Sequence, residues 1–170
     1  IAPVDFVRLL DRIMTLFEVQ RPTISVEIDP RGFNAQWALV LAASNVTRVS
    51  MGVQTFADHV QAAIGRVQPT AMIEQAVSML QMRGIDAVNF DLMYGLPDQS
   101  MDDLAETLDT AIAMKPSRIA LFGYAHLPSA IPRQRRIDAS NLPDADTRFA
   151  MASMGYQMLT EAGYRAVGFD

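Results

Sequence analysis

The chain has 170 residues, half of them hydrophobic, which is enough for one domain with a substantial core. Its net charge is −5 and no basic stripe is present, so nucleic acid is not an expected partner. No apolar run approaches the roughly 18 residues that span a bilayer, and the amino end lacks the plan of a secretory signal. A cytoplasmic location is therefore the simplest interpretation. The sequence contains no cysteine, which excludes disulfides and thiolate-held metal sites within this chain.

The first third of the sequence alternates between helical and strand patterns. Apolar residues at helical spacing predict an amphipathic helix over residues 4–18. Alternating β-branched residues predict a strand over 23–28, which the turn at 29–32 ends. A helix over 34–44 and a strand over 46–53 follow.

The same alternation continues through the rest of the chain. The patterns predict helices over 57–64 and 70–83, a strand over 86–93, a helix capped by Ser100 and closed by Pro116, and a strand over 118–124. Residues 125–141 form a long, proline-rich connection, and connections of this length are usually functional or disordered. A helix over 144–162 and a final strand over 164–169 complete the predicted elements.

Regular alternation of strands and helices indicates parallel strands with helical crossovers. The predicted order is one helix, four strand–helix units and a last strand, with no internal linker. A closed eightfold barrel needs about 200 to 250 residues. The chain is therefore expected to be either an open doubly wound sheet or an arc of a larger barrel.

Polar residues mark the carboxyl ends of the predicted strands, where folds of this class place their sites. If the strands are parallel, Glu27, Gln54, Asp91 and the Ala125 backbone gather on one rim. The planar guanidinium of Arg66 suits a carboxylate ligand. For each of these residues a structural role, such as a surface ion pair, a strand bulge or packing, remains an alternative.

Four segments, in this order, together resemble a known family. They are Ser25-Val-Glu-Ile-Asp-Pro30, Ser50-Met-Gly-Val-Gln54, Asp91-Leu-Met-Tyr-Gly-Leu-Pro97 and Tyr124-Ala-His-Leu-Pro128. The chain is similar to the middle of radical S-adenosylmethionine (SAM) enzymes, and in particular to the oxygen-independent coproporphyrinogen III oxidases. The resemblance implies that residues 1–170 form a single α/β domain, a partial TIM-like barrel of parallel β/α repeats. The cluster-binding part upstream and a carboxyl-terminal part downstream would then lie outside this chain.

The resemblance also implies roles for individual residues. The positions that match SAM contacts are Glu27, Gln54, Arg66, Asp91 and Ala125. The residues expected to contact the substrate, including its propionates, are His126, Arg133, Arg135 and Arg136. No residue of this chain is expected to be catalytic or to bind a metal.

The implied activity is that of an oxidoreductase of haem biosynthesis. Such an enzyme converts two propionates of coproporphyrinogen III to vinyl groups, giving protoporphyrinogen IX, with SAM, a four-iron four-sulfur cluster and an electron donor. The sequence departs from the family because the cysteine motif that holds the cluster is absent, so this chain alone is expected to be inactive. A related radical enzyme, a haem-handling protein or a non-catalytic small-molecule-binding module remain alternatives. The missing strands should leave apolar surface exposed, which favours self-association of the chain.

Overall fold

A computed structural model describes residues 1–168 as a parallel sheet of four strands covered by helices. The strands are β1 (Ser25–Ile28), β2 (Arg48–Gln54), β3 (Val88–Tyr94) and β4 (Arg118–Gly123). Each strand pairs in parallel with the next strand along the chain, so the order in the sheet is β1-β2-β3-β4. Helices connect successive strands, as the alternation predicts.

The helices begin and end within a few residues of their predicted limits. They are α1 (Pro3–Leu16), α2 (Ala35–Ala43), α3 (Asp58–Ala63), α4 (Thr70–Gln81), α5 (Met101–Ala113) and α6 (Ala145–Glu161). Two short 3₁₀ helices, Pro30–Gly32 and Pro132–Arg136, lie in the connections. Side chains at the amino ends of α2, α5 and α6 accept bonds from free backbone N–H groups. At α5, Ser100 and Asp103 form a reciprocal capping box.

The core lies on one face of the sheet. Met51 of β2 and Phe90 and Leu92 of β3 are fully buried there, against apolar residues of α2, α4, α5 and α6. One set of alternating strand residues thus meets the helices on one face. A doubly wound sheet needs helices on both faces and a reversal of strand order, and the described residues show neither. The chain is therefore an arc of an incomplete barrel.

The opposite face of the sheet is polar across β1, β2 and the first half of β3. It carries Glu27 of β1, Ser50 and Gly52 of β2, and Asn89 and Asp91 of β3, and these five residues are called the polar face below. They alternate along each strand with the core residues, so every one of them points away from the helices. In a barrel this face would line the interior.

The final strand is a correction to the sequence analysis. Residues 164–168 form no strand, and Phe169 lies outside the described residues. After α6, Gly163 takes a left-handed conformation with φ of +92°, and the Tyr164 N–H donates to the Leu159 carbonyl. The Tyr164 hydroxyl then donates to the Pro116 carbonyl at 2.8 Å. This helix-ending turn and its anchor hold Tyr164 at the loop before β4.

Within residues 1–168, no helix has the length and apolarity that crossing a bilayer requires.

Candidate functional site

The carboxyl end of β2 is irregular in a way that brings two polar side chains together. The pairing with β3 shifts register between Gly52 and Gln54, and Gln54 has a left-handed φ of +70°. A Cβ atom at Gly52 would lie 2.8 Å from Gln54 Nε2 and 3.0 Å from Arg66 Nη2. Only glycine allows both side chains to approach the strand here. The structure therefore places Gln54 and Arg66 side by side.

Arg66 is held over the strand end by one backbone carbonyl and a distant carboxylate. It follows Gly65, whose φ is +65°, directly after α3. Its Nη2 donates to the Gly52 carbonyl at 2.9 Å, and its Nη1 lies 3.8 Å from Asp29 Oδ2. Burial lowers the pKa of Arg66, an effect that the Asp29 carboxylate opposes. The Nε atom is buried and has no hydrogen-bond partner. The side chain is 25% exposed, so part of this guanidinium remains available to a ligand.

Asp29, which the sequence analysis placed only in a turn, belongs to the same corner. Its carboxylate accepts from the Arg31 backbone N–H at 3.0 Å and from Arg31 Nη2 at 2.6 Å. The side-chain bond to Arg31 is the main reason why the pKa of Asp29 falls to about 2. Asp29 thus stays negative at any physiological pH and shares its charge between Arg31 and Arg66.

Asp91 lies in the middle of β3, on the polar face, within a small network of hydrogen bonds. Ser50 Oγ donates to Asp91 Oδ2 at 2.7 Å, and Asn89 Nδ2 donates to Asp91 Oδ1 at 2.7 Å. Asn89 Nδ2 also donates to Ser50 Oγ at 2.8 Å, while Asn89 Oδ1 is buried without a partner. Sequence analysis missed Ser50 and Asn89. Ser50 lies two residues before Gly52, and Asn89 lies two residues before Asp91. Residues at this spacing share one face of a strand, and this was the signal that could have identified them.

Glu27 completes this side of the site from the edge strand. It is exposed, and its register partner in β2 is Ser50, which bonds Asp91. Its negative charge also opposes the burial that lowers the pKa of Arg66. The structure therefore brings four predicted residues together, namely Glu27, Gln54, Arg66 and Asp91.

Ala125 and His126 lie on the far side, just beyond β4. Gln134 is buried and donates from Nε2 to the Ala125 carbonyl at 2.9 Å, while its Oε1 accepts from the Leu127 N–H. The buried Tyr124 hydroxyl lies 3.0 Å from His126 Nδ1, and burial raises the pKa of this phenol. Gln134, which was not predicted as a site residue, thus fixes the loop that carries Ala125 and His126.

The three arginines predicted to bind substrate have different surroundings. Arg133 and Arg136 line a cleft of about 520 Å³ between the end of α3 and the Pro132–Arg136 helix. The positive charge of Arg133 acts on Arg66 and contributes to lowering its pKa. Arg135 instead donates from Nε to the Pro128 carbonyl at 3.1 Å and does not line the cleft.

This arrangement has the groups that bind a polar organic ligand. Guanidinium, carboxylate and amide groups surround a glycine that leaves room for a close approach, and the buried Arg66 Nε and Asn89 Oδ1 lack partners. Residues 1–168 contain no group of three or more histidine, aspartate or glutamate side chains that could hold a metal ion. An iron–sulfur cluster needs thiolate ligands, which this sequence does not contain.

Sequence comparisons show relatives that are longer than this chain. The uncharacterized protein y4hJ of Sinorhizobium fredii is 45% identical over 153 residues, and the match covers 89% of this chain and 59% of that protein. The oxygen-independent coproporphyrinogen III oxidase of Bradyrhizobium diazoefficiens is 38% identical over 170 residues, covering 99% of this chain and 38% of the oxidase. This chain thus spans less than two thirds of the length of each of these relatives.

Structural comparison gives the same result. Coproporphyrinogen III oxidase from Escherichia coli superposes with a TM-score of 0.91 at 32% identity, covering all of this chain and 39% of the oxidase. The radical SAM methyltransferase TsrM of Kitasatospora setae, at 17% identity and a TM-score of 0.60, shares the fold. The Radical SAM superfamily matches residues 2–111. The chain therefore belongs to the Radical SAM superfamily.

Proposed function

We propose that this chain is the central part of an oxygen-independent coproporphyrinogen III oxidase of haem biosynthesis. The observation that carries the proposal is the TM-score of 0.91 over the whole chain with the coproporphyrinogen III oxidase of Escherichia coli, which is itself a radical SAM enzyme. The Tyr124-Ala-His-Leu-Pro128 segment supports it, since buried Gln134 fixes this segment beside the polar face. The domain is a single partial barrel, and the intact protein acts in the cytoplasm.

The proposed reaction removes carbon dioxide from two propionate side chains of coproporphyrinogen III. Each –CH₂CH₂COO⁻ group becomes –CH=CH₂ as it loses CO₂, one hydrogen atom, which the chemistry of SAM removes, and one electron, which passes to an electron acceptor. When bound, SAM supplies the hydrogen-abstracting chemistry that begins each loss. The protein supplies binding, orientation and charge.

The site fits SAM through groups that remain unsatisfied. Arg66 pairs with the methionine carboxylate, because its Nε is buried without a partner and its charge is only weakly balanced. Glu27 and Asp91 accept from ribose hydroxyls or the methionine ammonium. Gln54 contributes its amide, and the Ala125 backbone contacts adenine. Gly52 leaves the space that a ligand close to the strand needs.

The residues present do not fit the iron–sulfur cluster. The sequence has no cysteine, so no residue of this chain can ligate it. We propose that the cluster ligands belong to another part of the parent protein, which receives its electron from a separate donor. The greater length of the relatives supports this assignment.

The substrate contacts lie on the β4 side of the site. Arg133 and Arg136 bind propionates in the cleft beside Gly65. His126, fixed by its hydrogen bond with Tyr124, contacts the tetrapyrrole nearby. Of the three arginines, Arg135 is the least suited to contact the substrate, because its Nε already bonds the Pro128 carbonyl.

An anaerobic assay tests the proposed function. The full-length protein, reconstituted with iron and sulfide, is mixed with SAM, dithionite and coproporphyrinogen III, and porphyrins are separated by chromatography after oxidation. We expect protoporphyrin, and none in a reaction without SAM. Cleavage of SAM without consumption of coproporphyrinogen would reject this substrate and indicate a related radical enzyme.

The role of Asp91 is tested separately by the Asp91→Ala variant. Loss of the carboxylate should weaken binding of SAM to the reconstituted full-length protein by about tenfold or more, since a charged hydrogen bond contributes about 1.5 to 3 kcal/mol. Unchanged affinity would remove Asp91 from the cofactor site.

A further inference from the structure

Two buried glutamines, absent from the site as described so far, join the loop that carries Arg66 to the end of β2. Gln61 of α3 is 1% exposed. Its Nε2 donates to the Thr55 carbonyl at 2.9 Å and to the Gln68 carbonyl at 3.0 Å. Its Oε1 accepts from the Gln68 N–H at 2.7 Å. The Gln61 side chain thus bonds the backbone on both sides of Arg66, at Thr55 before it and at Gln68 after it.

Gln68 extends the connection directly to the strand. It is also 1% exposed, and its Nε2 donates to the Gly52 carbonyl at 3.2 Å and the Val53 carbonyl at 3.0 Å. Its Oε1 is buried without a partner. Burying an amide costs free energy unless hydrogen bonds compensate. Packing alone would be served better by an apolar side chain.

Arg66 lies between these two glutamines in sequence and shares an acceptor with one of them. The Gly52 carbonyl accepts from Arg66 Nη2 at 2.9 Å as well as from Gln68 Nε2. Arg66 has little else to fix it, because its Nε is unbonded and Asp29 is 3.8 Å away. The direction of the guanidinium therefore depends on where the glutamines hold the loop and this carbonyl.

We propose that Gln61 and Gln68 are positioning residues for the cofactor, acting through Arg66. They hold the guanidinium at the carboxyl end of β2, directed toward the carboxylate of SAM. This inference rests on the proposed function, specifically on Arg66 as the carboxylate partner. It assigns to two buried amides a part of the affinity that would otherwise be attributed to Arg66 alone.

The test is a double-mutant cycle in the reconstituted full-length protein. Gln68→Met keeps an unbranched side chain of similar size but removes both donors, and Arg66→Ala removes the group being positioned. The dissociation constant for SAM is measured by equilibrium dialysis, with thermal unfolding measured in parallel. We expect each single variant to weaken SAM binding about tenfold. In the Arg66→Ala background, Gln68→Met should change the dissociation constant by less than about twofold while still lowering the melting temperature.

The outcomes separate this inference from the function on which it rests. If Arg66→Ala weakens binding but Gln68→Met only lowers the melting temperature, the glutamines are structural and the positioning role is wrong. Equal weakening by Gln68→Met in both backgrounds would also overturn it, since the effect would not pass through Arg66. If Arg66→Ala leaves binding unchanged, the proposed cofactor contact itself fails.

A second pair of variants covers the case in which Gln68→Met does not fold. Gln61→Met removes the bonds to Thr55 and Gln68 from α3 and should give the same non-additive result with Arg66→Ala. Gln99→Met is the matched control. Gln99 is also a buried amide, but it bonds Met93 near the end of β3 and Leu96 in the loop that follows. Its effect on SAM affinity, whatever its size, should be the same in both Arg66 backgrounds.

Discussion

Gly52 has no side chain at the point where Gln54 and Arg66 approach β2 most closely. Gly52→Ala would displace the ends of both flexible side chains, because the new Cβ would lie within about 3 Å of each. We expect the dissociation constant for SAM to rise about tenfold, equivalent to about 1.4 kcal/mol, in the reconstituted full-length protein. Gly32→Ala is the control, since a Cβ there meets nothing within 4 Å. An unchanged affinity in Gly52→Ala would separate Gln54 and Arg66 from the cofactor.

The Asp29 carboxylate, in the turn after β1, makes the stability of the fold depend on pH in the acid range. Its pKa is about 2 in the folded chain, below its ordinary value of 3.8, so its ionised form stabilises the fold above about pH 4. That contribution is lost as the pH falls from about 4 to 2. Because the side chain is 44% exposed, we expect Asp29→Asn to cost less than about 1 kcal/mol at pH 7. Urea unfolding at several pH values should show the two proteins converging below pH 2.

The cleft arginines should act on the substrate rather than on the cofactor. Arg133→Ala combined with Arg136→Ala should raise KM for coproporphyrinogen III about tenfold or more, because two charge-assisted contacts to propionates are lost. Arg135→Ala is the matched control, since Arg135 faces Pro128 instead of the cleft. KM values from the anaerobic assay decide the matter. Full activity of the variant lacking all three arginines would exclude their role in binding.

At the scale of elements, α6 packs closely against β4 at one glycine. Gly155 is buried in α6, and a Cβ at that position would overlap Leu121 Cδ2. We expect Gly155→Ala to lower the free energy of unfolding by about 1 to 3 kcal/mol through overpacking, despite the better helix propensity of alanine. Ser153→Ala, on the exposed side of the same helix, should be nearly neutral. Denaturant unfolding of both variants tests this contact, and equal stability of the two would contradict it.

Elements with strong periodicity could be predicted from the sequence, whereas the side of the sheet each helix covers could not. Ser100, with acids in the first turn, indicated the start of α5, and the alternation over 23–28 indicated β1. The expected last strand was wrong because Tyr164 has a strand-like sequence context but anchors to Pro116. A doubly wound sheet and an arc differ in whether helices cover both faces of the sheet or only one. This depends on packing between segments far apart in the sequence, which a local pattern does not show.

The site was predictable only where a motif or a strand end marked it. Glu27, Gln54 and Asp91 come together as the parallel arrangement predicts, and Arg66 joins them from the loop after α3, while the proposed roles of all four stay predictions. Gln61 and Gln68 were missed because an amide side chain on a short helix or loop is usually exposed to solvent. Their burial follows from contacts with the backbone of β2, which the sequence does not display.

The whole molecule leaves much of α1 uncovered. No residue of α1 is buried, and Leu9 and Leu16, two turns apart on one face, are 53% and 63% exposed. Its described contact with the rest of the fold includes the edge-to-face pair of Phe6 and Trp37. An apolar stripe of this kind favours association. We expect the isolated chain to self-associate, and changing both leucines to Gln to shift sedimentation velocity toward monomer, whereas Arg12→Gln should not.

The order of the strands also bears on how the chain reaches this structure. Every strand pairs with the strand immediately before it, so each new β/α unit leaving the ribosome meets an edge already formed. Pairing then never waits for a distant segment, which lowers the entropic cost of closing each loop. The polar face grows with the sheet along this path, since β2 places Ser50 beside Glu27 and β3 then brings Asp91 beside Ser50. Synthesis from the amino end therefore adds to the scaffold and to the polar face together, one strand at a time.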